Sequence, residues 1–134
     1  IVVSNFVIAE GANRIKGVPQ DFYVNTFIPH PVTAGLKKVA IHGAWGLMAV
    51  GGTEIGAKVV AETSPKAWAD INRNRRRDRG ETLGSYGIIA VSRHGKGKVV
   101  VVADDAPFAN KFIKEADNGI LAENILRWFA SKSP

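Results

Sequence analysis

The sequence predicts an α/β domain, a β-sheet with flanking helices, on three observations. Val99-Val100-Val101-Val102 is apolar on both faces, as strands are when helices cover a sheet above and below. Leu121, Ile125, Trp128 and Phe129 fall at i, i+4, i+7 and i+8, the apolar stripe of a helix. Asp104, Asp105 and Pro107 stand between the two, where a strand hands over to a helix.

Ile1-Val2-Val3 and Phe6-Val7-Ile8-Ala9 are short apolar runs that fit a strand or the tail of a helix. Gly11 to Gln20 reads as a loop broken by Gly17 and Pro19. Phe22, Val24 and Thr26 alternate with Tyr23, Asn25 and Phe27 in an extended segment. It stops at Pro29-His30-Pro31, because proline lacks the amide donor that a ladder needs. Val39 and Ile41 alternate with Lys38, Ala40 and His42, the pattern of a half-buried strand. Leu47 to Val50 is a short strand between Gly43, Gly46 and the pair Gly51-Gly52. Ala57 to Ala61 alternates as another strand. Pro65 opens a helical turn over Lys66 to Asp70.

In the last fifty residues Tyr86–Ser92 and Lys98–Ala103 are strands joined by the hairpin turn Arg93-His94-Gly95-Lys96-Gly97. Val99 to Val102 is placed at the centre of the sheet. A helical stretch runs from Pro107 to about Glu115, and Asp117 or Asn118 caps the final helix. Lys132 suits the dipole at its end. Asn124 is expected to turn inward and bond to backbone.

The chain has 134 residues, 46% hydrophobic and 22% charged, which bounds it to one globular domain. No apolar stretch approaches the roughly 20 residues that span a bilayer. Ile1-Val2-Val3 has no signal-peptide pattern, and the absent initiator Met suggests a piece of a longer precursor. The absence of Cys removes disulfides, thiolate chemistry and sulfur-ligated metals. One Met and one Gln match the composition of heat-adapted proteins. A net charge of +6 suits an acidic partner.

Five arginines lie within seven residues: Arg73, Arg75, Arg76, Arg77 and Arg79. Asp70, Asp78 and Glu81 dilute the run, and Asn72 to Gly80 contains no aromatic on which a base could stack. The segment reads as a solvated, mobile loop, with polyanion or nucleic-acid binding as the alternative. His30, His42 and His94 have no metal-ligand spacing, so no metal and no cofactor are expected. The glycines around Lys96 lie between strands, where a phosphate-cradling loop does not. Asp104, Asp105 and Asn110 are the ligand candidates at the carboxyl end of a strand, with capping of the following helix as the structural counterpart, and His30 is a further candidate. No Ser sits in a nucleophile elbow, so no catalytic residue is assigned.

Several pieces carry a family resemblance in their order: His30 to Leu36, Gly84 to Val91, Gly95 to Asp104, Phe108-Ala109-Asn110, Asp117-Asn118 and Asn124 to Trp128. Over residues 30–130 the chain resembles the amidotransferase-like domain of gliding-motility transporter accessory proteins and intraflagellar-transport proteins. That resemblance implies a flavodoxin-like sheet similar to class I glutamine amidotransferases, lacking part of its N-terminal half. With no Cys it excludes glutaminase chemistry. It implies a binding or scaffolding module in a larger assembly, associated with a membrane complex through a missing segment. The uncovered sheet implies a homo-oligomer or a second chain completing it. A hydrolase, or a sugar-processing enzyme of the trehalose-utilisation type, is a further alternative; it requires Asp104, Asp105 or His30 to converge.

Overall fold

Short connections decide this fold. The computed structural model describes residues 1–50 and 56–132. Ile15 and Val18, and His94 and Gly97, end and begin consecutive paired strands with two residues between them. Links this short join antiparallel strands, whereas a parallel pair needs a crossover of a dozen residues or more. The structure is accordingly mostly β, with 41% strand and 15% helix. The expected α/β, flavodoxin-like architecture is therefore incorrect. The lack of an N-terminal half was inferred from that architecture and has no basis here: residues 1–29 contribute β1 to β4.

Strands β1 (Val2–Ala9), β4 (Thr26–Phe27), β6 (Trp45–Met48), β7 (Lys58–Glu62), β8 (Ala67–Asp70), β9 (Leu83–Gly84), β10 (Gly87–His94) and β11 (Gly97–Val102) form one sheet. Its order is β4-β7-β10-β6-β1-β8-β9, with β11 also on β10. Strands β2 (Arg14–Ile15), β3 (Val18–Val24) and β5 (Val39–His42) form a second sheet in the order β2-β3-β5. All pairings among the described strands are antiparallel. Among the described residues the one α-helix is α1 (Asn118–Ala130).

The two N-terminal runs join into one strand, β1. The expected loop over Gly11–Gln20 contains the β2–β3 hairpin, turned at Lys16 and Gly17 with φ of 52° and 74°. Two successive positive φ values match the right-handed twist of the flanking strands. The expected helical turn at Lys66–Asp70 is replaced by β8, buried throughout between β1 and β9. The stretch from Pro107 to Glu115 forms a 3₁₀ turn (Ala106–Phe108) and further turns, not a helix. Ala116, at φ 46°, separates them from α1. The turn expected at Gly51-Gly52 lies outside the described residues.

Strand β10 is the branch point of the large sheet. One side of it pairs with β7; the other pairs with β6 at Gly87 and with β11 from Ile89 onward. Gly87 sits where the neighbours converge. A Cβ there would lie 2.5 Å from the Leu47 carbonyl oxygen and 3.0 Å from Val59 Cγ2. The placement of Val99–Val102 at the sheet centre is corrected by the same pairing: β11 pairs only with β10 among the described strands, so it is an edge. Its uniform valines reflect a helix on one face and a half-covered second face.

The core joins Ile8, Val60, Ile88 and Ile89 of the large sheet to Phe22, Val24, Val39 and Ile41 of the small one, under Leu121 and Trp128 of α1. Polar side chains fix the helix in place. Neither Asp117 nor Asn118 makes the expected side-chain cap. Asp117 Oδ2 instead accepts the Lys37 and Lys38 amides at 2.7 and 3.0 Å. Buried Asn118 exchanges bonds with the backbone of Ala40. Asn124 turns inward as expected and donates to the Val32 and Ala34 carbonyls.

Candidate functional site

The antiparallel alternation sets which way the backbone of β11 points. Ala103 donates to the Ile88 carbonyl, and the register pairs Ile89 with Val102 and Val91 with Val100. Val99 and Val101 therefore bond inward to β10. The N–H and C=O groups of Lys98, Val100 and Val102 point away from the sheet. This is an open edge of the kind that accepts another strand.

An apolar groove of about 490 Å³ runs beside that edge. Val100 and Val102 form one wall, Phe108 closes one end, and Ala122, Ile125, Leu126 and Phe129 of α1 form the other wall. Leu126 is 68% exposed and Phe129 46%, although both are large and apolar. Leu126 falls beside the Leu121–Ile125–Trp128 stripe, so a search for one apolar stripe misses it. The available signal was a helix with apolar residues on two sides.

Asp104 and Asp105 line the same groove at the Phe108 end. Asp104 is buried, and both its oxygens are engaged: Oδ2 accepts the His42 amide at 2.7 Å and Oδ1 accepts the Ala106 amide at 3.1 Å. Burial pushes its carboxyl above the usual range, against the pull of these two bonds. Its structural role ties β5 to the 3₁₀ turn. Asp105 is exposed, and Asn110 is exposed on the next turn, outside the groove lining.

His30 lies elsewhere. It faces a separate hollow of about 320 Å³ shared with Lys58, Arg93 and Trp128. Its Nδ1 accepts the Val32 amide, and its ring meets Trp128 edge-on with centroids 4.9 Å apart. Burial first, then the charges of Lys58 and Arg93, hold its pKa below the usual value. His30 and the two aspartates thus line different clefts, which removes the convergence that a hydrolase or sugar-processing site requires. Among the described residues no group of three His, Cys, Asp or Glu side chains is arranged to hold a metal ion. His42, read from the sequence as a strand-end residue, lies between Asp21 (3.6 Å) and Glu115 (3.0 Å) and stacks on Phe112.

The arginine segment is a folded loop rather than a loose excursion. Buried Asp70 accepts the Asn74 and Arg75 amides, and buried Glu81 accepts those of Ile71 and Asp78. Arg73, Arg75, Arg76, Arg77 and Arg79 are all exposed. No described helix is long and apolar enough to cross a membrane.

A family model described as a domain of unknown function (DUF4350) matches residues 22–126. The chain belongs to that family. The amidotransferase-like resemblance over residues 30–130 does not hold: the family found is this one, and the antiparallel sheets with one helix differ from the fold that resemblance implied. No curated protein and no solved structure matches the chain.

Proposed function

We propose that this DUF4350 chain is a non-catalytic binding module that extends its sheet at β11, and that the strand it takes up is β11 of a second copy. The observation that carries the reading is the coincidence of an open edge and an apolar groove along one strand. A strand added there satisfies the outward groups of Lys98, Val100 and Val102 and at the same time covers Leu126 and Phe129.

The edge is self-complementary. A two-fold axis at Val100 sets Lys98 against Val102 of the other copy, and all three outward-pointing residues find hydrogen-bonding partners. Exposed Lys96 stands at one end of the edge and exposed Asp105 at the other. Antiparallel pairing brings the basic end of each copy to the acidic end of the other. The axis stands perpendicular to the sheet, so both α1 helices lie on one face with their Leu126 and Phe129 sides toward each other.

Two proline substitutions test this. Val100→Pro removes an outward N–H, which an edge strand tolerates. Val101→Pro removes one donated to β10. Size-exclusion with light scattering is expected to give a dimer for the native chain and a folded monomer for Val100→Pro, while Val101→Pro unfolds. A native chain that stays monomeric at high micromolar concentration would falsify the proposal.

A further inference from the structure

We infer that the arginine loop, between β8 and β9 at one end of the large sheet's strand order, is a preorganised docking surface for an anionic lipid bilayer. The inference is independent of strand pairing. In the sequence, Asp70, Asp78 and Glu81 appear to neutralise the arginines. In the structure Asp70 and Glu81 are buried, and the carboxylate of Asp78, at the surface, is taken up by two asparagines. Asp70 binds two main-chain amides and Gln20 Nε2, Glu81 binds two main-chain amides, and Asp78 accepts from the side chains of Asn72 and Asn74. The acids are used to build the loop, and the arginines are left outside it. Among the described residues none of the five makes an ion pair. Arg73 lies over the Trp45 ring at 5.4 Å and Arg77 Nε donates to the Glu81 carbonyl, so both are aimed by the frame.

The backbone is held in an unusual shape to do this. Arg73 and Arg75 have φ of 58° and 65°, a left-handed conformation that side-chain-bearing residues rarely adopt. Such outliers persist only where the surroundings over-determine them, and they cluster at functional sites.

The apolar residues around the loop choose the ligand. Ile71 is 64% exposed and Leu83 47%, and they flank the arginine segment on either side. The chain leaves β8 at Asp70, opposite Val7, heading toward the N-terminal half of β1. At that end Val2 pairs with Met48, and Val2, Val3 and Met48 are also exposed. A phosphodiester backbone uses cations and has no use for these apolar side chains. A bilayer surface uses both, cations for the headgroups and apolar groups for the acyl boundary.

Co-sedimentation tests it, using phosphatidylcholine vesicles with and without about one third phosphatidylserine. The full chain is expected to bind only the anionic vesicles, less tightly as salt rises. Replacing Arg75, Arg76 and Arg77 together by Ala is expected to weaken partitioning about a hundredfold, from three lost headgroup contacts. Arg76→Glu with Arg79→Glu, at exposed positions, repeats the test should the triple variant lose its fold by circular dichroism. Ile71→Ser with Leu83→Ser is expected to weaken vesicle binding about tenfold. No binding to anionic vesicles at low salt, or binding indifferent to the arginine variants, overturns the inference. So does equally tight binding of duplex DNA that the Ile71 and Leu83 substitutions leave unchanged; that result would assign the loop to nucleic acid.

Discussion

The Lys98 ammonium on β11 donates to the Trp128 carbonyl at 2.6 Å and also reaches the Ser131 carbonyl and hydroxyl, closing the last turn of α1. A strand side chain thus does what a cation in a helix's own final turn usually does. Lys98→Met is expected to destabilise the fold by about 2 kcal/mol, the order of charge-assisted hydrogen bonds lost from a half-buried site. Urea unfolding midpoints measure it. A loss below about 0.5 kcal/mol would mean that water serves those carbonyls as well.

The depressed pKa of His30 gives the fold a pH dependence. Its folded pKa is depressed, so the unfolded chain binds the proton more readily. Stability is present above the unfolded value of 6.5 and is lost as pH falls below it toward the folded pKa. Asp104, raised by burial, acts oppositely at lower pH: its term favours the fold at low pH and fades as pH rises through the carboxylate range. His30→Asn keeps an acceptor for the Val32 amide and removes the titration. Its urea midpoint is expected to change less between pH 7 and pH 5 than that of the native chain. An NMR titration placing His30 above 6.5 would contradict the assignment.

Gly87→Ala is expected to cost about 3 kcal/mol, since the new methyl meets backbone rather than a flexible side chain. Gly84→Ala, with open space around it, serves as the control. Equal thermal shifts for the two would show that the branch at β10 relaxes.

The folded arginine loop is expected to resist trypsin despite its five cleavable residues. Asp70→Ala leaves the Asn74 and Arg75 amides and Gln20 Nε2 without their acceptor. Local opening is then expected to become about a hundredfold more frequent, a change of about 3 kcal/mol. Limited proteolysis reads it directly. Native-like resistance in Asp70→Ala would show that Glu81 holds the loop unaided.

Local patterns in the sequence were legible where one neighbour decided the outcome. The hairpin at Gly95-Lys96, the α1 stripe and the inward turn of Asn124 depend on short-range spacing or on a single contact. The fold class depended on connection lengths, and the valine run outweighed them. Four valines say that a strand is apolar on both faces; they do not say whether it has one neighbour or two. Asp104 and Asp105 were found because they follow that strand, whereas Leu126 and Phe129 become a wall only once β11 is known to be an edge. The carboxylates of the arginine segment misled for another reason. Composition counts charge, but Asp70 and Glu81 are directed at backbone amides.

Strand β10 supplies the shared neighbour of β6 and β7, and it is made late. A ribosome adding about 5–20 residues per second needs several seconds to travel the roughly fifty residues from Trp45 to His94. During that interval β6 and β7 have emerged without the strand that joins them. The edges of β6 and β7 that β10 will cover are open to mispairing in that interval, and a pause in translation just before Gly87 is expected to prolong the exposure more than a pause anywhere after His94.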